Sequence, residues 1–185
     1  MIDEALEMAK DMMEQSLERC RRDLAKVRAG RANPAVLDEV RVDSYGAMVP
    51  LNQVSNVSVA DARLLVIKPW DRNLIGTIEK AVNNAGLGLN CNNDGVVVRV
   101  PIPPLTEERR KQLVKQVKEH GEDSRIAIRH GRREANDLLK SAEKDKEISE
   151  DELKKGLEKI QGLTDDFIKQ IDGIIAHKEG EILEN

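Results

Sequence analysis

The sequence predicts an α+β protein, an elongated three-helix bundle interrupted by a small β/α/β domain. Three observations lead there. Three long segments each carry one narrow apolar stripe at steps of three and four residues, the period of a helix. Residues 36–100, between the first and second of these segments, switch to short runs of β-type residues punctuated by Gly, Pro and Asp. Charged residues make up 35% of the chain and aromatic residues 2%. Rings supply much of the apolar area of thick cores, so this balance suits aliphatic seams on long helices.

The first helix covers residues 2–28. Its stripe is Ile2, Leu6, Ala9, Met13, Leu17, Cys20, Leu24 and Val27, closer to a coiled-coil seam than to a broad globular face. Ala29-Gly30, with Pro34 soon after, ends it. In the next region Val40, Val42, Val54, Val57, Val59 and the run Leu64-Leu65-Val66-Ile67 read as short strands. Asp71 is placed as the N-cap of a helix of about a dozen residues that ends near Asn83-Asn84, with Gly86 as the stop. Asn92-Asn93-Asp94-Gly95 is a turn signal, followed by a strand over Val96–Val100. The only tryptophan, Trp70, is expected to pack inside this small domain.

Pro101-Ile102-Pro103-Pro104 enforces extended backbone. Thr106 then caps a second long helix whose first turn holds Glu107 and Glu108, where the helix dipole favours negative charge. It runs to about Lys146. Its seam is Val114, Val117, Gly121, Ser124, Ile128, Gly131, Ala135, Leu138 and Ala142, small enough in several places to admit a neighbouring helix closely. Ser149 and Glu152 form a capping box for the third helix, and Ile148 with Leu153 a hydrophobic staple. Its stripe is Leu153, Leu157, Ile160, Thr164, Phe167, Ile171, Ile174 and Ile182.

None of the three stripes can be buried alone, and one shared bundle buries all three. The first helix must reach the others across the small module. One domain is therefore discontinuous, residues 1–30 and 105–185, and the other, 31–104, is inserted. A helix of about 40 residues is roughly 60 Å long, so the bundle should be a rod.

The net charge of −4 argues against a general nucleic-acid coat, although local patches can be basic. Cys20 and Cys91 form no CxxC pair and point to a reducing, cytoplasmic setting. The acidic, amphipathic start differs from a secretory signal, and no apolar run reaches the roughly 18 residues needed to span a bilayer. His120, His130 and His177 are scattered away from ligand spacing. Gly86-Leu87-Gly88 is too short for a dinucleotide fingerprint, and no Ser or Cys sits in a nucleophile elbow. No enzyme activity, metal or cofactor is expected.

Arg125, Arg129 and Arg132 fall at i, i+4 and i+7 and share one face of the second helix. Without matched acids at i±4 they suggest a phosphate-reading surface. Cross-helix ion pairs with the acidic third helix, or a solvated face, explain the spacing equally well. A second basic group joins Arg28 and Arg31 to Arg109, Arg110 and Lys111, roughly 30 Å away along the rod. Their plainer role is to complement a helix dipole. Such separation suits a large shaped RNA, and a lack of exposed aromatic platforms argues against single-strand stacking.

Several motifs then coincide. Arg28-Ala29-Gly30-Arg31-Ala32-Asn33-Pro34, Pro69-Trp70-Asp71-Arg72, Gly86-Leu87-Gly88-Leu89-Asn90, Arg99-Val100-Pro101-Ile102-Pro103-Pro104-Leu105-Thr106-Glu107-Glu108-Arg109-Arg110 and Lys144-Asp145-Lys146-Glu147-Ile148-Ser149-Glu150-Asp151 occur in this order. In them the chain resembles the ribosome recycling factor family over essentially its whole length. The resemblance implies an L-shaped protein, a three-helix rod with a hinged β/α/β domain, monomeric and without catalytic residues. It implies binding to the rRNA of the large ribosomal subunit, subunit separation driven with elongation factor G and GTP, and a functional link to initiation factor three. Carried over by motif position, Arg28, Arg31, Arg110, Arg129 and Arg132 are the RNA-contact residues. Gly30, Arg31, Pro101, Ile102, Pro103 and Pro104 match the hinge. One segment departs from the family: Arg129-His130-Gly131-Arg132-Arg133 stands where many members read Arg-Asn-aliphatic-Arg-Arg. A protein adaptor that binds partners through the rod is the competing reading, and an enzyme built on the small domain a third.

Overall fold

The computed structural model describes residues 1–184. In chain order the elements are α1 (Ile2–Ala25), β1 (Arg41–Ser44), β2 (Ala47–Pro50), β3 (Ser55–Asp61), β4 (Leu64–Pro69), α2 (Ile75–Asn84), β5 (Asn92–Asn93), β6 (Val98–Pro101), α3 (Glu107–Lys144) and α4 (Glu150–Leu183). Short 3-10 turns at Pro34–Leu37, Leu51–Gln53 and Arg72–Leu74 connect some of them. Two compact units result: Met1–Ala29 with Glu107–Glu184, and Gly30–Thr106. The fold is α+β, long helices together with a small β unit.

In the helical unit α1, α3 and α4 all pack on one another. Its core is mostly aliphatic: Ile128, Leu139, Ile160, Ile171 and Ile182 are fully buried, with Met13, and Phe167 is 6% exposed. Each such side chain contributes about 1.5–3 kcal/mol by leaving water. The two polar seam residues are satisfied within their own helices. Ser124 donates its hydroxyl to the His120 carbonyl at 2.8 Å and Thr164 to the Ile160 carbonyl at 2.7 Å. The start of α4 is the capping box expected: the Ser149 hydroxyl accepts the Glu152 amide at 3.2 Å, and the Glu152 carboxylate accepts the Ser149 amide at 2.7 Å.

The seams differ from expectation by single residues. Leu113 and Leu139 are buried in α3 where Val114 and Leu138 were expected. Ile175 replaces Ile174 in α4, and Gly156 sits in the seam between the half-buried Leu153 and Leu157. In α1, Ala5 is buried while Ile2 and Leu6 flank it half-buried. The reason is helix separation. Where two axes come closest, only a small side chain fits on the line between them, and larger ones move to its flanks. A Cβ on Gly156 would lie 2.6 Å from Cδ1 of Leu139, and one on Gly121 only 1.9 Å from Cδ1 of Ile175.

This geometry predicts opposite signs for the same substitution. Gly121→Ala gains about 1 kcal/mol of helix propensity but overpacks a buried contact, typically about 1–3 kcal/mol, so a net loss is expected. Gly162→Ala and Gly173→Ala meet open space and should stabilise by up to about 1 kcal/mol each. Denaturant melts of the three variants read the signs directly. A gain at Gly121 would mean that Ile175 is free to move aside.

The second unit is built on a four-stranded antiparallel sheet of order β3-β4-β6-β5, with β1-β2 as a separate hairpin. Leu65 and Ile67 of β4, Val98 and Val100 of β6, and Ile78 and Val82 of α2 form one core with Val40 and Val42. The β1-β2 turn places Tyr45 and Gly46 at φ 51 and 93, the double left-handed geometry of a type I′ hairpin. The Gly46 amide donates to Asp43 Oδ1 at 2.8 Å. Asp71 caps as expected, accepting the Asn73 amide at 2.9 Å, and a turn of 3-10 helix leads into α2.

Two expectations fail here. Trp70 is 69% exposed rather than packed inside. In β4 the inward positions are Leu65, Ile67 and Pro69, so the two-residue period of a strand sends Trp70 to the opposite face. The last strand begins at Val98 rather than Val96. Asp94 Oδ1 accepts the amides of Val96 at 2.9 Å and Val97 at 2.8 Å, tying both residues into the turn. These amides, helped by Arg99, hold the Asp94 carboxyl at about 2. Because that value is depressed, the turn is at full strength above about pH 4 and weakens as pH falls through 2.

Candidate functional site

The regular helix α3 fixes the spacing of the basic residues expected to act. From Arg110 to Arg129 the rise is about 28 Å at 1.5 Å per residue. At its first turns Arg109 donates to Gln112 Oε1 at 3.2 Å and Lys111 pairs with Glu107 at 3.2 Å. Arg110 is half-buried, and its Nε has no hydrogen-bond partner among the described residues. Arg28 is exposed just beyond α1, in the same unit, whereas Arg31 is exposed in the β unit.

Further along α3 the three arginines of the expected face are each held differently. Arg125 clasps Asp172 of α4, with Nε at 2.9 Å and Nη2 at 2.7 Å from Oδ1, and its Nη1 lies 3.2 Å from Glu122. Arg129 Nη1 donates to the other oxygen of Glu122 at 3.2 Å. Arg132 Nη1 donates to the neutral amide oxygen of Gln161 at 3.0 Å, and that amide donates in turn to Asp165 at 2.8 Å. The two guanidinium groups pull the Glu122 carboxyl below its ordinary range, Arg129 more than Arg125. Asp172 holds the Arg125 guanidinium firmly protonated.

No acid stands at i±4 of this row, as expected, but acids at other positions pair with it, and Arg125 takes the cross-helix ion pair with the third long helix that the spacing equally allowed. Glu122 stands three residues from Arg125 and seven from Arg129, two turns back on the same face. Asp172 comes from another helix altogether. Neither shows in a search at i±4. Arg125 is therefore an inter-helix strut, with its side chain 25% exposed against 41% for Arg129. Gln161, Asp165 and Asp172 are residues of the site that the sequence did not single out. Contrary to expectation, exposed aromatic platforms are present, since Tyr45 is 76% and Trp70 69% exposed. The Tyr45 hydroxyl donates to the Asp71 carboxylate.

The residues matched to the hinge fall in the β unit. Gly30 has φ +77, and a Cβ there would lie 2.8 Å from Cγ of Leu105, so left-handed backbone and close approach both require glycine. Pro101 ends β6, and the Ile102 amide donates to the Arg63 carbonyl at 2.8 Å. Pro103 and Pro104 are exposed and outside regular structure.

His130 and His177 lie near acids one helical turn on, Glu134 at 3.7 Å and Glu181 at 3.1 Å. Among the described residues no group of three or more His, Cys, Asp or Glu side chains is placed to hold a metal ion. Cys20 and Cys91 are buried and free. No described helix is long and apolar enough to cross a membrane.

A bundle of long helices interrupted in sequence by a small β/α/β unit is an architecture shared with solved structures of a class of translation factors. The solution structure of a ribosome recycling factor aligns with 100% of this chain and 98% of its own, at a TM-score of 0.73 and 38% identity. A second structure describes models of the T. thermophilus ribosome recycling factor and the E. coli elongation factor G bound to the E. coli post-termination complex. It aligns over 99% of both chains with a TM-score of 0.64 and 46% identity. The family model described as ribosome recycling factor matches residues 20–183. The ribosome-recycling factor of Syntrophomonas wolfei is 52% identical over 184 residues, 100% of each chain, and that of Bacillus subtilis (strain 168) 51% identical over 181 residues, 98% of each. The chain belongs to the ribosome recycling factor family.

Proposed function

We propose that this protein binds the post-termination ribosome and, with elongation factor G and GTP, separates the subunits and frees the mRNA. The observation that carries this reading is identity of about half to ribosome-recycling factors over the whole chain. The arginine surface on α3 supports it. Arg28, Arg31, Arg110, Arg129 and Arg132 contact rRNA of the large subunit through charge-assisted bonds directed by RNA shape. Met1–Ala29 with Glu107–Glu184 form the RNA-binding domain, and Gly30–Thr106 the inserted domain. The two chain crossings, Gly30-Arg31 and Pro101–Pro104, act as the hinge between them. The work is mechanical: the partner GTPase supplies the energy, and this chain, acting as a cytoplasmic monomer, makes no covalent step. Initiation factor three keeps the separated subunits apart.

The test is light scattering of post-termination ribosomes mixed with this protein, elongation factor G, GTP and initiation factor three. The expected result is a fall that requires both this chain and the GTPase. A flat signal with cognate components, while another recycling factor works on the same ribosomes, would overturn the reading in favour of a helical adaptor.

A further inference from the structure

The arginine row is not uniform in available charge. Arg125 has two carboxylate partners, Asp172 and Glu122. Arg129 has one, Glu122, at 3.2 Å. Arg132 is bonded to a neutral amide. An approaching anion therefore meets Arg132 with its charge uncancelled, Arg129 with its charge shared, and Arg125 with its charge spent on the neighbouring helix. Glu122 decides the middle case. It is half exposed and bridges the two arginines, one oxygen to each. When an anion takes Arg129, Glu122 keeps Arg125, so the exchange strands no charge. Arg125 cannot follow, because Nε and Nη2 both clasp Asp172.

We propose that Glu122 is an internal counter-ion for Arg129 that competes with RNA phosphate and so sets how tightly this surface holds the ribosome. This rests on the reading of Arg129 as a phosphate contact. The competition has a physical use. A factor that must leave after each round gains from a surface whose grip is moderated, and a carboxylate already in place shortens the dwell without loosening the helix. Exposed ion pairs of this kind shift an equilibrium by a few-fold, not by orders of magnitude.

The test is Glu122→Gln, which removes the charge and keeps the shape. Two probes are used with the full chain: purified large ribosomal subunits, and heparin as a plain polyanion. The variant is expected to bind subunits about two- to fivefold more tightly and to elute from heparin at higher salt. Both effects should vanish in an Arg129→Ala background. Glu119→Gln changes the net charge equally, but Glu119 pairs with Lys115 at 4.0 Å, so it should leave both readouts unmoved. An equal shift in the Arg129→Ala background, or from Glu119→Gln, would reduce the effect to overall charge and overturn the proposal, as would no shift at all. If the heparin shift depends on Arg129 while subunit binding ignores Arg129 and Arg132, the counter-ion stands and the rRNA contact fails.

Discussion

Replacing Arg129 and Arg132 together with alanine is expected to weaken binding to large ribosomal subunits by roughly a hundredfold while leaving the fold intact. Hydrogen bonds to charged groups contribute about 1.5–3 kcal/mol each, and for exposed arginines, at the low end of that range, two of them lost correspond to about two orders of magnitude in affinity. The salt dependence should flatten as well. Each phosphate contact contributes a slope of roughly 0.7–0.9 in log K against log salt, so the double variant should lose about 1.5 units. The bonding pattern makes this a clean experiment. Without Arg129, Glu122 still has Arg125. Without Arg132, Gln161 still donates to Asp165. No buried partner is orphaned, and melting should be nearly unchanged. Weaker binding with an unaltered salt slope would place the loss in shape or packing and remove phosphate contact as the mechanism.

The second large effect is on stability. Ile128→Ala should destabilise the helical unit by about 2–5 kcal/mol, the usual cost of truncating a buried aliphatic side chain and leaving its cavity. For a chain of this size that lowers the melting temperature by on the order of 10 °C. Ile126→Ala, two residues earlier in the same helix, should change stability by less than about 0.5 kcal/mol. The contrast follows from exposure alone: Ile128 is 0% exposed and Ile126 50%. Circular dichroism melts of the two variants measure it. Similar losses at both positions would mean that the outer face of α3 is covered in solution.

Much of this molecule is legible locally. Ser149 with Glu152 and Asp71 with Asn73 each find their partners within three residues, so residue type and spacing suffice to place them. Helix period marked α1, α3 and α4. It did not distinguish Leu113 from Val114 or Leu139 from Leu138, because two adjacent residues lie within one apolar arc and the facing helix chooses between them. Trp70 was misplaced for a related reason. Its side chain follows the parity of β4, and that parity is set by which face of the sheet α2 covers.

The family, the three long helices, the capping box of the third, the inserted β/α/β module and the row of arginines on one helix can all be read from the string of residues. These depend on neighbours along the chain or on motifs that survive as strings. Which arginines are spent and which are open depends on packing between helices. Arg125 meets Asp172 across 47 positions, and Arg132 meets Gln161 across 29. Contacts between helices depend on their rotation and separation, fixed when Gly121 lies against Ile175 and Gly156 against Leu139. An ion pair formed by that packing has no signature at i±4, since its two halves become neighbours only once the seams have closed.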